Sequence, residues 1–338
     1  MSAEVPFSHL LVERKGKAPH VLVMEMKSAA TEFDVVIIGG GSAGYAAART
    51  TASGGLKTVV IEGGKEVGGL CILRGCMPSK ALLYAAEVLH LARHGATWGL
   101  DIPRAEFDLG RVMARKDAQI RDFADYRRGQ LTDGRFSFIR ANASFLDFRT
   151  LTLDNGQTVS GKHFVIATGS VVSPPPWPGL TEVGYWTSDD VLAAKTFPPS
   201  IIVLGGGAVA VELAQVMARF DSKVTLIQRS EHLLRDFDPD AAASLEQALR
   251  KDGIEVYTGT RVSEVSKSGG KKRVSLLHRG VAKQVEADEV LHALGRSPAV
   301  AGLGLEKAGV VLVDGRIQTD AGIETDRLKP LDQRASPQ

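Results

Sequence analysis

One local pattern occurs twice in this chain, and it narrows the possible folds more than any other feature. At residues 35–44 and again at 201–210, an apolar strand-like run meets a glycine cluster that leads into a helix-like stretch. Such a turn opens a βαβ unit on a parallel sheet. Two openings in 338 residues, 44% of them hydrophobic, predict an α/β protein with two Rossmann-like, doubly wound domains, each able to bury its own core.

In the first unit Gly39, Gly41 and Gly44 complete a G-x-G-x-x-G spacing, followed by a helix over 45–52 and a strand over 57–61 that ends at Glu62. Gly39 makes the tight turn, and Gly41 lets the amides around Ser42 and Ala43 approach a pyrophosphate at the helix N-terminus. Gly44 allows close packing of helix on strand. Glu62 is placed to accept hydrogen bonds from an adenosine ribose. Strand, helix and acid together point to a bound dinucleotide.

The second unit keeps Gly205 and Gly207, continues with Ala208 and Val209, and has Ala210 as its third small residue. Its next strand, 223–227, ends not in an acid but in Gln228 and Arg229, with Arg235 beyond. A carboxylate there would repel a 2′-phosphate, whereas arginines clasp it with forked donors, so the site leans toward NADP(H). The other reading makes both arginines solvated surface charges.

The only two cysteines, Cys71 and Cys76, share one short run after the first fingerprint. Pro78 suits the first turn of a helix, and Leu82, Leu83, Val88 and Leu91 continue it, which places Cys76 at the helix N-terminus. Amides and the helix dipole there favour a thiolate. Cys71 is expected outside the helix as the freer thiol. Glycines 68, 69 and 75 give the chain latitude to bring the sulfurs together. Beside a nucleotide site, this placement points to a flavin-coupled redox disulfide; a metal site or two unrelated buried thiols are the alternatives.

A formal charge of +2, with Lys and Arg spread along the chain, gives no sign of nucleic-acid binding. No apolar run reaches the length of a membrane span, and the first thirty residues lack a signal-peptide core, so a cytoplasmic location is expected. Met24 or Met26 is a conceivable start. Residues 136–165 alternate strand-like runs with turns such as Asp154-Asn155-Gly156, as a small antiparallel β element would. The expected division is an extension over 1–31, a dinucleotide-binding domain with the cysteine pair over 32–180, a second such domain inserted in it over 181–298, and a return with a polar tail over 299–338.

Five landmarks now stand in order: the first fingerprint, the Cys71/Cys76 box, Ala167-Thr168-Gly169-Ser170, the second fingerprint ending in Glu212, and residues 293–298 with Gly295. Together they closely resemble the pyridine nucleotide-disulfide oxidoreductases, the class of dihydrolipoamide dehydrogenase, glutathione reductase and mercuric reductase. The resemblance implies FAD at Gly39, Gly41, Ser42, Ala43, Gly44, Glu62 and Gly69, with Ala167, Thr168 and Gly169 nearby. It implies NAD(P)H at Gly205, Gly207, Ala208, Val209, Ala210, Gln228, Arg229, Arg235 and Gly295. Cys76 would be the charge-transfer thiol and Cys71 the interchange thiol, with Lys80 and Glu212 a pair close to the flavin. The implied enzyme relays two electrons between NAD(P)H, FAD and the disulfide, dihydrolipoyl dehydrogenase-like, with a small disulfide or dithiol as partner. A glutathione or mercuric reductase-like enzyme is the alternative. Leu70 and Leu73 replace the family's usual Thr and Asn, and Ala208 stands where some members carry a gating tyrosine.

Family members are homodimers with a C-terminal interface domain that supplies a histidine-glutamate pair. Here the sequence ends in a polar run from Asp326. A C-terminally truncated chain is therefore expected, either a flavoenzyme or a catalytically deficient dinucleotide-binding fragment. None of the eight histidines matches the catalytic motif; His292 is expected at a strand end.

Overall fold

The computed structural model describes residues 31–320 and Thr325. Apart from Thr31, the expected extension lies outside the described residues, as does the tail from 326 onward.

The β-branched run of β1 (Thr31–Ile38) is covered on both faces, with Val36 and Ile37 at 0% exposure, as a central parallel strand requires. It leads through α1 (Ser42–Ser53) to β2 (Thr58–Glu62). Three helices follow: α2 (Gly69–Arg74), α3 (Cys76–Arg93) and α4 (Leu109–Leu131). The sheet is completed by β3 (Ser137–Arg140), β4 (Ala143–Asp147), β5 (Thr150–Leu153) and β6 (Thr158–Ile166), in the order β3-β2-β1-β6-β5-β4. The stretch 136–165 is thus not one separate antiparallel element. β3 and β6 run parallel to their neighbours in the core sheet, and only the β4-β5-β6 meander is antiparallel. Apolar content, not alternation, decides this: Phe164 and Ile166 of β6 pack into the core against β1.

After β7 (Ser170–Val172), a proline-rich crossover leads to α5 (Leu180–Val183) and α6 (Ser188–Ala193). The second unit consists of β8 (Ser200–Leu204), α7 (Ala208–Arg219), β9 (Lys223–Ile227), α8 (Pro239–Lys251) and β10 (Glu255–Tyr257). An antiparallel sheet of β11 (Thr260–Ser268), β12 (Lys271–His278) and β13 (Val281–Ala287) then intervenes, unforeseen from sequence, before β14 (Glu289–His292) completes the parallel order β10-β9-β8-β14. The short strand β15 (Arg296–Pro298) pairs with β7, and Leu303, Leu305 and Ala308 join the core of the first sheet beside Phe33 and Phe145. The hairpin of β16 (Leu312–Val313) and β17 (Arg316–Ile317) closes the described chain.

The two units repeat one backbone device. Gly39 has φ +108°, and a Cβ on it would stand 2.3 Å from the Ala167 carbonyl oxygen; Gly205 has φ +123°, with 2.4 Å to that of Ala293. Each glycine turn is thus pressed against the end of the adjacent parallel strand. A second contact joins the units: Leu82, Ala86 and Leu89 of α3 pack with Val216 of α7 and Phe220 just beyond it. The helix was expected, but its buried face differs. Val88 is 51% and Leu91 43% exposed, because the 82/86/89 stripe turns toward α7 and Ala86 permits close approach. Among the described residues no helix is long and apolar enough to cross a membrane.

Gly39→Ala and Gly205→Ala should each destabilise by about 2 kcal/mol or more, from combined strain and overpacking. Gly207→Ala, with no atom within 4 Å of the new carbon, should shift urea unfolding by less than about 0.5 kcal/mol. Equal losses at all three positions would contradict this reading of the turns.

Candidate redox active site

The cysteine box folds as two helices meeting at Gly75. A Cβ there would lie 2.9 Å from the Leu70 carbonyl oxygen and 3.2 Å from Cys71 Cα, so only glycine lets α3 start this close to α2. The turn brings the two thiols close enough for each to feel the other, both as free cysteines. Cys76 is the first residue of α3, with Pro78 buried two residues on. Cys71 lies outside α3, as expected, but in the middle of a short helix of its own, α2. It is not the freer thiol, being half-buried while Cys76 is exposed. Flanking glycines suggest a loop in sequence, yet the six residues between them close a short helix and turn Ile72 inward. Burial pushes the Cys71 thiol up and the Cys76 side chain adds to this, while the Cys76 backbone amide and, to a smaller extent, the charge of Arg127 pull the other way.

The box rests directly on the first fingerprint. Gly69 has φ +76°, and a Cβ on it would come 2.5 Å from Gly41 Cα. Around this contact a cleft of about 770 Å³ is lined by Gly39, Gly41, Glu62, Gly69, Asn142, Ala167, Thr168, Gly169 and Arg296, among others. Gly41 caps α1 without a side-chain hydrogen bond, leaving the first amides of the helix, around exposed Ser42 and Ala43, open to an anion. Gly44 is buried against the Gly39 carbonyl. The Glu62 carboxylate accepts from the Gly40 amide at 2.7 Å and the Gly64 amide at 2.6 Å, which fixes its orientation at the cleft wall. An open anion-binding helix end, a fixed carboxylate and a cleft of this size fit an FAD with its adenosine toward Glu62 and its pyrophosphate on α1.

One turn after Cys76, Lys80 Nζ reaches across to α7 and donates to both carboxylate oxygens of Glu212, at 2.7 and 2.8 Å. The structure therefore brings together Cys71, Cys76, Lys80, Glu212 and the first fingerprint. The second fingerprint stands apart on α7, again with a glycine cap, Gly207, lacking a side-chain bond. Ala208 and Val209 are exposed there, Ala210 is fully buried, and Gln228 lies against Gly206. Arg229 is exposed, whereas Arg235 pairs with Asp236 at 3.2 Å; Gly295, with φ +132°, follows β14. His292 ends β14, where it is 2% exposed and its Nε2 bonds the Ser173 carbonyl at 2.7 Å. Sequence reasoning missed Arg127 and the Arg74–Asp189 ion pair of 3.5 Å that ties α2 to α6. For Arg127 the signal was its spacing of three and four residues from Ala124 and Leu131 on the buried side of α4.

A duplicated dinucleotide fold with a dithiol seated on one fingerprint defines a nucleotide-linked disulfide oxidoreductase architecture. The profile of the pyridine nucleotide-disulphide oxidoreductases matches residues 33–329, and the chain belongs to that family. It is 37% identical over 279 residues to a mercuric reductase of Lysinibacillus sphaericus, covering 82% of this chain and 51% of the relative. It is also 37% identical over 298 residues to a dihydrolipoyl dehydrogenase of Thermus scotoductus, covering 87% and 64%. The chain thus spans about half to two-thirds of the length of these relatives. Among solved structures, the Cu(II) complex of the HOCl-induced flavoprotein disulfide reductase RclA from Escherichia coli superposes with a TM-score of 0.75 at 29% identity, over 87% of this chain and 64% of that one. The family implies FAD and NAD(P)H as cofactors.

The Lys80–Glu212 pair is solvent-accessible, with Lys80 60% exposed, so it contributes about 1 kcal/mol or less to stability. Lys80→Met and Glu212→Gln should each change urea unfolding by no more than that; a larger loss would make the pair a structural strut.

Proposed function

We propose that this chain carries the electron relay of an FAD-dependent NAD(P)H:disulfide oxidoreductase acting on a small disulfide or dithiol, as dihydrolipoyl dehydrogenases do. The carrying observation is the contact of Gly69 with Gly41, which seats the Cys71/Cys76 box on the wall of the fingerprint cleft. FAD, when bound, supplies two-electron transfer between nicotinamide and disulfide. The chain's own residues do the rest. The open amides of α1 hold the pyrophosphate, and Glu62 receives the ribose. Cys76, at the dipole-positive start of α3, takes the flavin-facing role, and Cys71 exchanges with substrate. Lys80, held by Glu212, adds positive charge one turn from Cys76.

The second fingerprint takes the nicotinamide nucleotide and leans toward NADP(H). Among the described residues Arg229 shows no side-chain ion pair, so its fork is open to a 2′-phosphate. The equal 37% identity to a mercuric reductase and to a dihydrolipoyl dehydrogenase supports a second reading in which Hg(II) is the acceptor.

Purified chain supplied with FAD should be yellow and oxidise NADPH faster than NADH with lipoamide or glutathione disulfide. Arg229→Glu should remove the NADPH preference. Turnover only with Hg(II) would favour the mercuric reading, and a colourless, inactive chain would reduce the protein to a nucleotide-binding fragment. Cys76→Ser should keep FAD but lose the long-wavelength thiolate–flavin absorbance after reduction; retention of that band would overturn the assignment of Cys76.

A further inference from the structure

Glu66 and Leu73 line the fingerprint cleft, and they also line a second cavity, of about 590 Å³, that the relay does not use. One wall is a face of α4, where Ile120, Arg121, Ala124 and Arg128 recur at helical spacing. The small Ala124 sits at the centre of that stripe, so the helix leaves the space unfilled. Val67 and Phe138 form another wall, and both pack on the core that holds Tyr45 and Leu131. Arg140, two residues after Phe138 on β3, donates to the carbonyls of Gly64 and Lys65 and so pins the loop that carries Lys65 and Glu66. The cavity is therefore formed before any ligand arrives.

Its charge is graded from inside to outside. Ala124 is buried and Leu73, Ile120 and Phe138 are half-buried, whereas the cations Lys65, Arg121, Arg128 and Arg140 are exposed at the rim. Two carboxylates, Glu66 and Asp125, stand among them, and Asp125 is already engaged by Arg128 at 2.8 Å. Among the described residues, the side chains of Lys65 and Arg121 make no ion pair or hydrogen bond. An apolar hollow within the roughly 300–1,000 Å³ of small-molecule sites, with open cations at its mouth, has the make-up of a site for an organic anion.

We propose that this cavity is a second ligand site, which takes a small carboxylate with an apolar chain. The chain lies on Leu73, Ile120 and Phe138, and the carboxylate meets the Arg121 fork and Lys65 at the rim. Glu66 and Leu73 form the partition that keeps this ligand apart from a dinucleotide in the fingerprint cleft. The site goes beyond the relay reading and needs neither FAD nor turnover.

The probe is octanoate, titrated into the full chain by isothermal titration calorimetry. One saturable site is expected. Octan-1-ol keeps the chain and lacks the charge, and inorganic phosphate keeps charge and lacks the chain; each should bind at least about tenfold more weakly. Arg121→Glu, which reverses one exposed charge, should weaken octanoate roughly tenfold. Ala124→Phe, which fills the centre of the cavity, should weaken it at least as much. Unchanged affinity in these variants would overturn the proposal, as would equal affinity for octan-1-ol or for phosphate. If Ala124→Phe loses the native circular dichroism spectrum, Arg121→Glu decides alone. Excess FAD should leave the octanoate stoichiometry at one; displacement by FAD would put octanoate in the fingerprint cleft and overturn the assignment equally. A chain that binds octanoate in this way but shows no disulfide turnover would sink the relay reading and leave the second site standing.

Discussion

The seam between α3 and α7 is the contact on which the rest of this architecture depends. α3 begins with Cys76 beside the first fingerprint, and α7 begins at the second. Leu82, Ala86 and Leu89 bury one face of α3 with Val216 and Phe220. Burial of side chains this size contributes roughly 1.5–3 kcal/mol each, except for the small Ala86. Polar ties run along the same seam. Lys80 meets Glu212, Arg219 reaches Glu87, and Arg93 grips Asp221 at 2.6 Å. The apolar stripe holds the helices together, and the ionic pairs fix their register.

Within each unit a harder constraint operates. The turns at Gly39 and Gly205 leave no room for a side carbon against Ala167 and Ala293, so strand, turn and neighbouring strand end meet at backbone distance. The N-caps that follow, Gly41 and Gly207, have no side chains, which leaves the first amides of α1 and α7 open to an anion. The cysteine box exploits the same compactness, because a Cβ on Gly69 would collide with Gly41 Cα. The thiols are therefore placed by the nucleotide turn itself.

Much of this was legible in the sequence because it is written in residue type. Glycine spacing announced both turns, Glu62 and Gln228 marked the strand ends, and Pro78 marked the start of α3. What stayed hidden depends on partners distant in sequence. The 82/86/89 and 84/88/91 stripes of α3 are both apolar, and only α7 decides which is buried. Six residues between glycines around Cys71 carry too little periodicity to announce a helix. The β11–β13 sheet was missed because its strands are polar and lightly buried, Thr260, Val265, Val274, Leu276 and Ala287 being exceptions. Arg127 escaped notice because a lone arginine on a long polar helix looks like a solvated charge until the Tyr45 ring beneath it is in place.

The proposed relay makes the Cys71/Cys76 pair electrically continuous with both candidate nucleotide sites. With only two cysteines in the chain, a thiol count reads this directly. Oxidised chain loaded with FAD should show no thiols toward an aromatic disulfide reagent under denaturing conditions. After anaerobic incubation with NADPH and removal of the nucleotide, it should show two. Retention of FAD with no thiols gained would contradict the account.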